Sequence, residues 1–421
     1  MTKTLTLSPG VTLRCYQDKR FKQGRITVQL VRPMCREEAA MNALLPAVLL
    51  RGTAKHPDLR SITMHLDSLY GASVGDVVRR AGDYQTTGLG CSFTDERFAM
   101  AGDEILPPVV DFLRELLTQP LTENGGFCAG IVEGEKRNRI ADIETDFNNK
   151  WVYAANSLLR NMCQADSFGI PRLGDIEQVE AITPAGLYDH YQRSLRESPV
   201  EIFYVGAAEP EQIASLLQPL FDGVGRDPVV LPPQTAFQDA GFKRVRQETA
   251  ASQSILCLGL VTPITAAHPD YAAMRVLNMV LGAGMTSKLF MNIREKMSLC
   301  YSIDSHYYAS KGILTVTAGI DAKQEKKVRR EIMAQLEACK NGGITRQELD
   351  AAKQALLSGL RGVHDSPAAI ESYYSLQALS GAPLSVEDYR AAVEAVTVAD
   401  AVRAAGTVAE HSAFFLKGVS Q

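Results

Sequence analysis

The sequence predicts an α+β fold made of two homologous halves, each a mixed or antiparallel sheet with helices packed on it. Three observations carry that expectation. Segments that alternate apolar and polar, such as Ile26, Val28 and Leu30, are interspersed with longer segments of helical period in both halves of the chain. The order of those segments repeats. The repeat also shows in the letters: Val179-Glu180-Ala181-Ile182-Thr183 returns as Val393-Glu394-Ala395-Val396-Thr397, each followed by a helix and an apolar strand that ends in glycine, Gly206 and Gly418. A period this long means duplicated domains and not a solenoid, and 421 residues are enough for both.

In the first half, the Thr4-Leu5-Thr6-Leu7 alternation followed by Pro9-Gly10 reads as a strand and turn, and residues 25–31 as a second strand. Helical patterns follow at 36–50 and 58–69, the latter ending at Gly71, which can take a left-handed backbone. A β region over 73–93 is broken at Gly82-Asp83. Helices are expected at 105–117 and in one long run from about 128 to 162. Thr183-Pro184 is a helix start, threonine as cap and proline at the first helical position. Strand 200–205 and helix 209–220 close the half. The expected domains are residues 1–222 and 246–421, joined by a linker over 223–245 that carries Gly223, Gly225, Pro228, Pro232 and Pro233. In the second half, a strand over 254–261, a helix over 271–281, the turn Gly282-Ala283-Gly284, a helix over 287–296 and strands over 301–309 and 313–319 are expected. Long helices at 323–339 and 347–360 and a last strand over 413–416 complete it.

Composition excludes several functions. A net charge of −4 offers no footprint for nucleic acid or an anionic membrane. The longest apolar run, Ala43–Leu50, is too short to cross a bilayer. The 8 cysteines are scattered singly with no C-x-x-C, and the amino terminus does not read as a signal peptide, so reduced thiols and a cytoplasmic location are expected. There is no G-x-S-x-G elbow, P-loop or dinucleotide fingerprint, and the 7 histidines form no H-x-H, H-x-x-H or H-x-x-E-H.

Two stretches carry a resemblance. Residues 42–53 read N-A-L-L-P-A-V-L-L-R-G-T; in the second half, Gly284-Met285-Thr286-Ser287-Lys288-Leu289-Phe290 is followed by Ile293-Arg294-Glu295-Lys296 and Leu299-Cys300-Tyr301-Ser302. The second resembles the G-G-G-M-S-S-R-L-F … I-R-E-K-x-G-L-x-Y-S signature of the pitrilysin/insulinase-type zinc metallopeptidases, with Ala283 and Ser298 where glycine is usual. The first resembles their active-site helix, H-x-x-E-H before a short apolar run, a basic residue, Gly and Thr. Laid on this chain, the zinc histidines fall on Ala43 and Ala47 and the general base on Pro46. Alanine has no lone pair to give a metal, and proline cannot take the proton from a metal-bound water. The family's third ligand, a glutamate in an E-x-E-K stretch, falls on Glu133; one carboxylate is no zinc site. The phrase Leu66-Asp67-Ser68-Leu69-Tyr70-Gly71-Ala72 is similar to bacterial members that lack the metal motif.

The resemblance implies the clamshell halves of that family, no catalytic residue, no metal ligand and no cofactor in this chain. It also implies a substrate-contacting pair, Arg294 and Tyr301, since a guanidinium fork and a phenol suit a peptide carbonyl whose charge grows in the transition state. Read without the motif, the same residues are a helix-end arginine and a strand tyrosine. The function expected is a non-catalytic subunit that closes the chamber over the zinc of a homologous H-x-x-E-H-bearing partner, with peptide as substrate. The alternatives are a homodimer and a structural or peptide-binding scaffold without a peptidase role. The Pro46 imino group removes a hydrogen bond wherever a helix runs through it. Either the helix is kinked there, or it begins at Asn42 with Pro46 in its first turn.

Overall fold

The computed structural model describes residues 2–419. The chain forms two compact units that interleave in sequence. The first runs to Glu144 and resumes at Ile170–Pro233 and His364–Leu376; the second takes Thr145–Gly169, Gln234–Val363 and the remainder from Gln377.

The first unit is built on a six-stranded sheet in the order Thr2–Ser8, Val11–Gln17, Val200–Gly206, Gln23–Pro33, Tyr84–Thr94, Ser73–Ala81. Its one parallel pairing joins Val11–Gln17 to Val200–Gly206, so the sheet is mixed. Gly10, at φ +69°, makes the turn of the first hairpin. Strand alternation sorts Gln23–Pro33 into two faces. Ile26, Val28 and Leu30 join the main core with Leu44, Leu45 and Leu113 of the helices Arg36–Leu49 and Leu106–Thr118. Thr27 and Gln29 face the other way, to helix Pro367–Ala378, and both hydrogen-bond the fully buried Glu371 at 3.0 and 3.2 Å. Arg79 completes that site with one Nη on each Glu371 oxygen, both at 2.8 Å.

The second unit carries a five-stranded sheet in the order Ser302–Tyr308, Ile313–Ile320, Ser254–Val261, Ala409–Val419, Lys243–Ala250, with the last pairing parallel. Helix Lys150–Met162 lays Ala154 and Leu158 on Ile255, Cys257, Phe414 and Leu416. Contact is close enough that a Cβ on Gly259 would stand 2.6 Å from Met162 Sδ, which explains glycine in the middle of a strand. Lys311 and Asp166, both fully enclosed, pair at 2.9 Å and tie the end of this helical segment to the turn before Ile313–Ile320.

Three local expectations change. The run expected as one helix over 128–162 is two, Ala129–Asn148 and Lys150–Met162. Asn149 stops the first and caps the second by accepting the N–H groups of Trp151 and Val152. The helix through 287–296 is wound as a π-helix over Leu289–Lys296. Strand Lys243–Ala250, too polar to be read as one, is held by its parallel partner.

Candidate functional site

Helix Arg36–Leu49 is apolar around most of its circumference, with Ala39, Ala40, Ala43, Leu44, Leu45 and Val48 all buried, as suits a helix enclosed in the core. It is continuous, with Cys35 at its N-cap and Pro46 buried inside it, so the helix does not restart at Asn42. Asn42 is a buried crosslink instead. Its Nδ2 donates to Gln85 at 2.9 Å, and its Oδ1 lies 2.7 Å from His190 Nε2. Burial holds the His190 imidazole down at about 4, in its neutral form.

The face of this helix bearing Ala47 borders a cavity of about 500 Å³ in the first unit. Leu59, Ile62 and Leu66 make its apolar wall, and Val74 to Asp76 of the sheet-edge strand Ser73–Ala81 supply another side. The fourth side is helix Ala129–Asn148, which turns Glu135, Arg139 and Asp142 inward at i, i+4 and i+7. Glu133 is not among them. Two residues before Glu135, it points well round the helix, its side chain half exposed and paired with Lys136 Nζ at 2.9 Å. Glu133, where the family's third ligand falls and to which no metal was assigned, thus lies off the cavity.

Zinc does not fit these residues. Ala43 and Ala47 give no donor, and among the described residues no group of three or more His, Cys, Asp or Glu could hold a metal ion. The carboxylates that do line the cavity are engaged by guanidinium groups: Glu135 with Arg51 Nε at 2.6 Å, Asp142 with Arg139 Nη1 at 3.3 Å, Asp76 with Arg139 Nη2 at 3.6 Å. Sequence reasoning missed this cluster; the i, i+4, i+7 spacing of Glu135, Arg139 and Asp142 was the available signal.

In the second unit the π-helix Leu289–Lys296 delivers Arg294 to the start of strand Ser302–Tyr308. Arg294 Nε donates to the main-chain carbonyl of Tyr301 at 2.9 Å, its Nη1 to Glu295 at 3.0 Å, and its guanidinium lies 4.5 Å from the centre of the Phe290 ring. Tyr301 is pinned through its N–H to Gly319 O at 2.9 Å, while the residue stays 76% exposed. The turn between them passes through Ser298 at φ +50°, a left-handed backbone that accounts for glycine in the motif. The structure therefore joins Arg294 and Tyr301 through one turn, with the Tyr301 side chain exposed to solvent.

Fold and sites together define a class: a duplicated α+β protein of metallopeptidase architecture whose zinc helix carries no zinc chemistry. Comparison with known proteins agrees. A family model described as the peptidase M16 inactive domain matches residues 181–356. The "probable inactive metalloprotease YmfF" of Bacillus subtilis (strain 168) is 29% identical over 97% of this chain and 96% of its own. The crystal structure of a conserved protein from Enterococcus faecalis V583 matches at TM-score 0.91 and 26% identity, covering 100% of this chain and 99% of that one. A structure of a peptidase M16 inactive domain from Pseudomonas fluorescens shares the fold at TM-score 0.81 and 19% identity, over 100% and 99% of the two chains. Over nearly its whole length the chain is similar to M16, pitrilysin/insulinase-type proteins, among them relatives described as inactive. No helix among the described residues is long and apolar enough to cross a membrane.

Proposed function

We propose that this chain is the non-catalytic subunit of a heteromeric zinc peptidase and presents Arg294 and Tyr301 to a peptide held at the zinc of a homologous partner. The observation that carries the reading is a contrast within the chain. The three side chains that perform zinc hydrolysis are replaced at positions 43, 46 and 47, yet the Arg294/Tyr301 turn is intact, braced by the hydrogen bond of Arg294 to Tyr301 O and open to solvent at the phenol. A pair kept for packing alone would be buried. A cytoplasmic setting is part of the reading, supported by eight free cysteines with no disulfide.

The test is reconstitution. The chain is mixed with an H-x-x-E-H-bearing homologue sought in its source genome, and peptide hydrolysis is followed with and without it. A heteromer that cleaves peptides, and loses rate but not assembly on Arg294→Ala with Tyr301→Phe, supports the proposal. A partner equally active alone, or a complex indifferent to those substitutions, leaves a scaffold role. One tightly held zinc with chelator-sensitive proteolysis in this chain alone would sink both.

A further inference from the structure

We infer that Arg139 is a fixed internal cation that closes the first-unit cavity to divalent metals, so that restoring H-x-x-E-H to helix Arg36–Leu49 does not by itself restore a zinc site. The inference is independent of any partner subunit.

Arg139 reaches three things at once. Its Nη2 donates to the main-chain oxygen of Ala43, where the first histidine would stand, at 2.9 Å; the same Nη2 lies 3.6 Å from Asp76 Oδ2, and its Nη1 lies 3.3 Å from Asp142 Oδ2. The side chain is 91% enclosed, at 9% exposure, so it is not a surface arm that swings away. Arg51 occupies the remaining cavity carboxylate, Glu135, at 2.6 Å. Every acid lining the cavity is thereby committed to a guanidinium.

Residue type matters here. A histidine or lysine in the same place could shed a proton as a metal arrived. A guanidinium cannot be deprotonated in a protein, and its charge stays. A divalent ion entering beside position 43 or 47 meets like charge at a few ångströms in a partly enclosed site and finds its oxygen ligands already paired. Loss of the two histidines and the glutamate is the visible change; the arginine makes it hard to reverse.

The experiment compares the full chain carrying Ala43→His, Pro46→Glu and Ala47→His with the same chain carrying Arg139→Leu as well. Both are loaded with zinc sulfate and dialysed, metal is counted by plasma mass spectrometry, and affinity is read by competition with a chelator. The triple variant is expected to retain little zinc, and the fourth substitution to tighten binding by about a hundredfold. A triple variant that binds as tightly as the quadruple overturns the inference, and so does a folded quadruple variant that binds none.

Ala43 is fully buried, so a histidine there can unfold the helix. Arg139→Leu alone, in the otherwise unchanged chain, is therefore titrated with Mn²⁺, which suits carboxylate oxygens. Release of Asp76 and Asp142 is expected to raise Mn²⁺ affinity about tenfold over the parent, followed by water-proton relaxation. Equal affinity in parent and variant overturns the inference.

Discussion

Arg294 Nε lies 2.9 Å from the main-chain carbonyl oxygen of Tyr301, so the two residues of the retained motif are coupled through backbone and not side chain to side chain. The arginine holds the main chain just before strand Ser302–Tyr308, and the phenol is left exposed. Substitution should separate these jobs. In the heteromer proposed above, Tyr301→Phe removes only the exposed hydroxyl and is expected to lower kcat/KM by about ten- to a hundredfold with no change in Tm. Arg294→Lys is expected to act like Arg294→Ala, because an ammonium group replaces neither the fork nor the stacking on Phe290. Wild-type kcat/KM in Arg294→Lys would show that a bare positive charge suffices.

The turn joining them stores strain. Ser298, with φ at +50°, is one of three non-glycine residues at positive φ among the described residues. Glycine takes that backbone without a steric penalty, although it also loosens the unfolded chain. The expected net effect of Ser298→Gly is stabilisation by about 0.5–1 kcal/mol, seen as a higher urea midpoint at unchanged m-value. A lower midpoint would mean that the Ser298 side chain does something in the turn that its backbone angle does not reveal.

Much of this was legible from sequence, for identifiable reasons. Strand Ser254–Val261 and helix Tyr271–Leu281 lie where their apolar patterns end, because both are core elements whose burial dictates their composition. Strand Lys243–Ala250 was invisible because it sits at a sheet edge with mostly exposed side chains; its pairing with Ala409–Val419 decides its conformation, not its own letters. Asn149 was a readable cap hidden in an otherwise helical run. The motif spaces Arg294 and Tyr301 seven residues apart, and in the structure the arginine side chain reaches the tyrosine's main-chain carbonyl. Arg139 could be read from its spacing only as sharing a helix face with Glu135 and Asp142, not as a residue that reaches the zinc-motif helix. Its main partner is a backbone oxygen 96 residues away, and no spacing rule reports that.

Pro46 is the next test of the degenerate helix. Inside Arg36–Leu49 it has no N–H for the carbonyl of Asn42, and its ring crowds the preceding turn. Pro46→Ala restores the donor at the cost of some buried apolar surface. It is expected to stabilise the protein by about 1–3 kcal/mol in chemical denaturation. Destabilisation instead would indicate that the helix is bent around the proline and packed in that shape.

His190 gives the fold a pH dependence. Its Nε2 contacts Asn42 Oδ1 at 2.7 Å and its Nδ1 lies 3.1 Å from Arg193 Nη2, an arrangement that suits the neutral ring, and burial lowers its pKa from 6.5 to about 4. The unfolded chain takes up a proton through about pH 6.5 while the folded chain refuses it down to about 4. The contribution is therefore complete above pH 6.5, shrinks as pH falls from 6.5 to 4, and is flat below. Its full size is on the order of 3 kcal/mol. Urea midpoints measured from pH 7.5 to 4 are expected to fall across that window, and His190→Gln to flatten the fall. An unchanged slope in the variant would assign the acid sensitivity to other groups.

Glu371 tests how helix Pro367–Ala378 is held in the first unit. Its carboxylate is fully buried, takes one Nη of Arg79 on each oxygen at 2.8 Å, and has Arg25 Nε at 3.7 Å, with Thr27 and Gln29 donating to the same Oε1. One negative charge thus serves two arginines whose side chains are only 23% and 20% exposed. Glu371→Gln keeps the shape and some hydrogen bonds but leaves both guanidinium groups without a counter-charge. The cost expected is about 3 kcal/mol, since a broken buried pair strands the partner's charge. Removing Arg79 as well, in Glu371→Gln with Arg79→Met, is expected to recover part of that loss, because less charge is then stranded. Protease susceptibility of the 364–376 segment should follow the same order, highest in Glu371→Gln, intermediate in the double variant and lowest in the parent. Additive losses in the double variant would mean that the helix is anchored by its apolar contacts, with the ion pair a bystander.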